Sequence, residues 1–190
     1  MKAIVSILLV ILAYPSFAQD NHQVIERKGF IFGTSTGMSF LNLTIAGLPS
    51  QNVVSASIPN FKIGSMISNN MAILLHMPGS IYKYNRMGRK RDRGFEGIIP
   101  SLQYWNNHKI WLLAGVGISM DAPAFYDIKS DDEREFYFGY GLVGAAGYEL
   151  WNKGRFVIDV QTRIHYGEVN FDNLNEKGFA ANLLLGFNWY

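Results

Sequence analysis

From Gly29 onward, apolar and polar residues alternate with a period of two along nearly the whole chain, and no segment carries a convincing apolar stripe at helical spacing. The clearest stretch runs from Phe156 to Tyr166. One parity reads Phe156, Ile158, Val160, Thr162, Ile164 and Tyr166, and the other reads Val157, Asp159, Gln161, Arg163 and His165. Successive side chains of a strand point to opposite faces, so such a segment separates an apolar medium from a polar one. Eight segments of this kind are predicted: Gly29 to Leu43, Val53 to Ile67, Met71 to Tyr84, Phe95 to Trp105, Ile110 to Met120, Phe136 to Trp151, Phe156 to Tyr166 and Gly178 to Tyr190.

Their connections alternate in length. Ser68 to Asn70, Asn106 to Lys109 and Asn152 to Gly154 carry tight-turn signals. Thr44 to Asn52, Asn85 to Gly94, Asp121 to Glu135 and Gly167 to Lys177 are read as long loops. Every short turn then falls at one end of an up-and-down meander and every long loop at the other. An even number of antiparallel strands of about ten residues with this asymmetry is the layout of an all-β, eight-stranded, antiparallel transmembrane barrel of the bacterial outer membrane. Pro78, in the Met77-Pro78-Gly79 stretch, cannot donate to a ladder and predicts a bulge in the third segment.

The N-terminus accounts for how such a chain reaches an outer membrane. Lys2 precedes a run of about eleven mostly apolar residues, Ile4 to Tyr14, and Ser16-Phe17-Ala18 ends it with small residues. A bilayer-spanning helix needs roughly twenty apolar residues, so residues 1–18 are read as a secretory signal peptide cleaved after Ala18. Residues 19–28 then form a short periplasmic segment and 29–190 a single barrel domain, with no linker between domains. The absence of cysteine rules out disulfides, a thiolate metal site and a lipoprotein anchor. A net charge of +2 gives no argument for nucleic acid, while 19 glycines and 14% aromatic residues suit a β-protein.

Alternation leaves open which face looks outward, since a secreted lipocalin-like barrel lines its interior with the apolar face to carry a small ligand. Glycine placement favours lipid outside. Phe136, Phe138, Tyr140, Leu142 and Tyr148 share one parity, and Gly139, Gly141, Ala145 and Gly147 the other; Leu112, Val116 and Ile118 likewise oppose Gly115 and Gly117. Small residues on the polar parity suit the crowded interior of a narrow barrel. Tyr104, Trp105, Trp111, Tyr148, Trp151, Phe156, Phe187, Trp189 and Tyr190 gather beside the short turns and the C-terminus, as an interfacial aromatic girdle would. The last strand is expected to close the ring against the first, Phe30 to Phe40, leaving no unpaired edge in hydrocarbon.

The terminal LLLGFNWY is similar to the aromatic-ended last strand that outer-membrane assembly machinery recognises, although the apolar parity falls on Trp189, offset by one residue from the usual signal. Together with IPNFKIGSMISNNMAILL at Ile58 to Leu75, the mature chain resembles the small eight-stranded barrels of the OmpA, OmpX and OmpW type common in Bacteroidetes. The resemblance implies an integral barrel with a polar lumen, residing in the outer membrane of a Gram-negative bacterium. It also implies outer-membrane lipid, lipopolysaccharide and the barrel assembly machinery as partners, and no cofactor.

Candidate chemistry lies in two places. The densest inward polar set is Asp159, Gln161, Arg163 and His165, joined by Glu149 and Asn182 and, if its parity is inward, Lys62. Either this is a catalytic or proton-relay site, or it is the charge pairing that fills any narrow polar lumen, which is the expected case. Some barrels of this size modify lipid A with a His, a Ser and an acidic partner. The four histidines, His22, His76, His108 and His165, show no such triad, and no enzyme is expected. On the loops, Arg86, Arg89, Lys90, Arg91 and Arg93 are the candidate contacts to lipopolysaccharide phosphates. Asp127, Asp131, Asp132, Glu133 and Glu135 make the next loop acidic, with Asp131, Asp132 and Glu133 as candidate Ca²⁺ ligands. The two loops neighbour each other, so mutual pairing and plain solvation compete with both readings. Eight strands leave space only for side chains, so a structural, adhesive or surface-interaction role is expected rather than a wide pore.

Overall fold

The computed structural model describes residues 27–86, 89–106, 109–127, 135–171 and 174–190. Ten strands, β1 (Phe30–Ile45), β2 (Gln51–Ser57), β3 (Phe61–Ser68), β4 (Met71–Met77), β5 (Gly79–Arg86), β6 (Arg89–Asn106), β7 (Ile110–Pro123), β8 (Tyr137–Lys153), β9 (Phe156–Phe171) and β10 (Leu174–Trp189), form eight antiparallel staves. β2 with β3 makes one stave and β4 with β5 another. The ring closes between β1 and β10, from Phe32 opposite Trp189 to Ile45 opposite Glu176. The short turns at 69–70 and 154–155 lie at one end, with Arg27 and Tyr190.

Both divided staves break at proline, which has no N–H for the ladder. Pro78 separates β4 from β5, as its sequence predicts. The break at Ile58 to Asn60 is an addition, and the missed signal is Pro59. Asn60 spans it: its Nδ2 donates to the carbonyls of Ser57 (2.6 Å) and Ser35 (3.1 Å), and its Oδ1 accepts Gly79 N–H (2.9 Å).

The predicted long loops are shorter than expected because the strands outrun the apolar pattern. Asn85 to Gly94 is read as a loop, yet β5 and β6 pair through it to Arg86 opposite Arg89. Gly167 to Lys177 is likewise mostly ladder. Beyond the bilayer both faces of a strand meet polar surroundings, so alternation fades while backbone pairing continues.

The apolar parity faces outward throughout. Ile164 and Val160 are exposed, and Asp159 and Arg163 are 0% and 2% exposed, so a soluble carrier with an apolar interior is overturned. On β9 the outward apolar run, Phe156 to Tyr166, comprises ten rises of about 3.3 Å, which at a tilt of about 40° span about 25 Å, the height of a bilayer's apolar band. Above it Glu168 takes a hydrogen bond from Asn175, another from Tyr140 (2.9 Å), and an ion pair with Lys177 (3.8 Å). These partners, Asn175 foremost, hold the half-buried Glu168 carboxyl below its ordinary range. A charged outer-face cluster marks where hydrocarbon ends.

The aromatic girdle is smaller than expected. Tyr104, Tyr148, Trp151, Phe156 and Trp189 are exposed on the outer face, and Phe187 is half-buried there. Trp105, Trp111 and Tyr190 instead point inward and are buried. Period two forbids Tyr104 and Trp105, or Trp189 and Tyr190, from sharing a face. Trp151 escapes that rule through a bulge after Glu149, which lets Leu150 and Trp151 both face out.

One seam carries a ladder along only part of its length. The stave of β2 and β3 joins that of β4 and β5 through β3 and β4, but β2 and β5 are not paired, and side chains bridge them instead: Ser57 Oγ to Gly79 O (2.7 Å) and Gln51 Nε2 to Lys83 O (3.0 Å). Amides in β2 and β5 that face this seam are expected to exchange roughly tenfold or more faster than those of β9 and β10, a factor that about 1.4 kcal/mol of local opening provides. Hydrogen exchange on the protein in micelles reads this directly; equal protection would mean that the seam is closed by backbone bonds.

Candidate functional site

The inward side chains fill the barrel in layers. Nearest the short turns, Glu149 on β8 accepts Arg27 Nη2 (2.5 Å), Trp105 Nε1 (2.8 Å) and Tyr190 Oη (3.1 Å). Trp105 and Tyr190 meet edge to face at 5.4 Å, and the Arg27 guanidinium lies 5.0 Å and 5.6 Å from their ring centres. An aromatic with a polar tip can fill space and still satisfy a buried carboxylate. Tyr190 is thereby a stopper, which accounts for the one-residue offset of the terminal signal.

The middle layer is built on Asp159 and Arg163, four residues apart along β9. Asp159 accepts Trp111 Nε1 and Asn188 Nδ2 (both 2.9 Å) and Gln161 Nε2 (3.1 Å). Lys62 does point inward, donating to Gln103 Oε1 (3.1 Å) with its ammonium 4.7 Å from the centre of the Trp111 ring. Arg163 donates through Nη2 to Asn60 Oδ1 (2.6 Å) and Ser57 Oγ (2.8 Å), and through Nη1 to His76 Nε2 (3.4 Å). Asn182 donates to the Arg163 carbonyl (3.4 Å) and accepts from Ser80 (3.3 Å). His165 stacks on Phe95 with ring centres 4.6 Å apart, and its Nε2 meets Ser119 Oγ at 3.0 Å.

The third layer sits at the opposite mouth. Arg93 pairs with Asp121 through Nε, reaches the Asp121 and Glu135 carbonyls at 3.2 Å and 2.9 Å, and lies over Tyr137 at 5.2 Å. Tyr82 donates to the other Asp121 oxygen (2.5 Å).

The set expected as one cluster is therefore distributed. Glu149 belongs to the Arg27 layer, Asp159 and Gln161 form one centre, Arg163 and Asn182 another, and His165 pairs with Ser119. That last pair unites residues 46 positions apart, which no local spacing could show. His165 Nδ1 has no partner, so the acid that would orient a catalytic imidazole is missing among the described residues. Arg91 and Arg93, expected on a basic loop, are buried inward positions of β6. Arg93 pairs instead with Asp121, a buried residue of β7 outside the acidic set expected on the neighbouring loop. Arg86, Arg89 and Lys90 lie in the β5–β6 hairpin, with side chains outside the described residues, as are Asp131, Asp132, Glu133, His22 and His108. Trp105, Trp111, Asp121 and Tyr190 escaped the sequence-based site, although their parity places each of them inside.

No family model matches this chain, and no curated protein matches it in sequence. Solved structures do match in shape. Ail, the attachment invasion locus protein of Yersinia pestis, is 14% identical with a TM-score of 0.50, over 85% of this chain and 99% of Ail. Neisserial surface protein A, NspA, is 16% identical with a TM-score of 0.54, over 85% of this chain and 96% of NspA. At such identities the likeness concerns the fold, and the fold agrees with the outward apolar band, the filled lumen and the closed ring: the chain has the fold of the small eight-stranded outer-membrane β-barrels.

Proposed function

We propose that the protein is a closed barrel whose work is done at its extracellular rim, as a structural, adhesive or surface-interaction protein embedded in lipopolysaccharide. The observation that carries this reading is the stack of three side-chain layers through the lumen, bounded by the Arg27–Glu149 and Arg93–Asp121 pairs. Chemistry and transport need an accessible interior, whereas the β5–β6 and β9–β10 hairpins offer a large surface beyond the apolar band. Ail is by name an attachment protein, which accords with this reading. Arg86, Arg89 and Lys90 are the cations of the rim that remain for lipopolysaccharide phosphates, since Arg91 and Arg93 are engaged inside.

In planar bilayers the protein is expected to give no stepwise ionic current. Purified from bacterial membranes, it is expected to retain lipopolysaccharide, and replacing Arg86, Arg89 and Lys90 together by alanine should lower the retained amount severalfold. Stepwise currents would remove the closed barrel from the reading; undiminished retention would remove the phosphate contacts.

A further inference from the structure

The two ends of the lumen are balanced by ion pairs, and its middle is not. Between the Arg27–Glu149 and Arg93–Asp121 pairs, the described lumen carries two cations, Lys62 and Arg163, against one carboxylate, Asp159. Lys62 is 6% exposed and Arg163 2%. Among the described residues neither has a carboxylate within 4.0 Å. Arg163 is held only by the neutral acceptors Ser57, Asn60 and His76, and its Nε has no partner. Lys62 uses one of its three protons, on Gln103. Because His76 Nε2 accepts from Arg163, the imidazole proton resides on Nδ1, and that atom is also unpartnered although His76 is 4% exposed. A surplus buried positive charge surrounded by unused donors is costly unless something negative lies beside it.

The structure contains a place for it. A void of about 10 Å³ lies beside this cluster, lined among others by Asn60, Lys62, His76 and Gln161. That is about the room one water-sized particle needs. We infer that the lumen holds one small inorganic anion of the halide class in this void, between Lys62, His76 and Gln161. A monatomic ion fits where phosphate, sulfate or a carboxylate ligand would not. Water would fit but would leave the charge surplus in place, and the two neighbouring cations exclude a metal ion. The ion would be taken up as the barrel closes, since both ends of the lumen are sealed by the pairs described above. This inference concerns the interior and does not depend on any partner at the rim.

Two measurements on the full barrel test it. Crystals of the barrel refolded and grown in sodium bromide should show an anomalous bromide peak within hydrogen-bonding reach of Lys62 Nζ. Protein refolded in micelles should unfold at a higher temperature in sodium bromide or chloride than in sodium gluconate of equal ionic strength, with a midpoint that climbs with halide concentration. The Lys62→Met variant should lose that dependence. A midpoint identical in halide and gluconate, or a bromide map empty at this position, overturns the site. Should Lys62→Met fail to refold, the bromide map of the unaltered barrel decides alone.

Discussion

Replacing Glu149 by alanine is expected to lower the stability of the barrel by about 3–5 kcal/mol, the range for breaking a buried ion pair from one side. The side chain is 2% exposed and is the shared acceptor for Arg27, Trp105 and Tyr190. Its loss leaves a buried guanidinium without its carboxylate and two aromatic donors without a partner. Those groups are confined by one another, because the two rings and the guanidinium lie 5.0 Å to 5.6 Å apart. By contrast, Trp105→Phe removes one donor and keeps the carboxylate and its cation, so a cost of about 1 kcal/mol is expected from the hydrogen bond. Urea titration of the protein in micelles, followed by its heat-modifiable gel mobility, measures both. A Glu149→Ala barrel within about 1 kcal/mol of the parent would show that this layer does not hold the end of the barrel together.

The second large effect is expected at Gly147. A Cβ at this position would fall on the indole of Trp111, which is 1% exposed. That ring cannot swing away cheaply: Nε1 is bonded to Asp159 at 2.9 Å and Lys62 lies over its face at 4.7 Å. Gly147→Val should therefore cost at least the roughly 1–3 kcal/mol of an overpacked core, and more as the Asp159 bond breaks. Gly144 lies on the same strand but on the outer parity, and the nearest atom to a Cβ there is Ile164 Cγ1 at 3.5 Å. Gly144→Val should be neutral or slightly stabilising, since a branched residue suits a strand facing acyl chains. Refolding yield and unfolding midpoint for the two variants compare the two faces of β8. Equal tolerance at both positions would contradict the assignment of glycine to the crowded interior.

How far each feature could be read from the chain depends on what produces the signal. The bilayer writes alternation into the strands, because a misplaced polar residue in hydrocarbon is costly. For that reason Phe156 to Tyr166 reveals its faces without any structure. Outside the bilayer this pressure stops, and residues such as Asp92 and Asn175 read as loop although their backbones remain in ladders. Aromatic residues gave an ambiguous signal for a different reason. Indole and phenol suit both a bilayer interface and a buried acceptor, so clustering alone placed Trp105, Trp111 and Tyr190 in the girdle, and only strict parity corrects it.

The sequence alone determined eight staves, their order, the outward apolar face and the inward polar set of β9, Asp159, Gln161, Arg163 and His165, since all of these follow from a period of two and from the spacing of turns. The tertiary structure decided which inward residues meet: Arg27 with Glu149, Arg93 with Asp121, Ser119 with His165, and Lys62 and Arg163 left without a carboxylate in contact among the described residues. Those meetings are set by the stagger of strands around a closed ring and by the reach of each side chain across it. Neither quantity leaves a local mark on the chain.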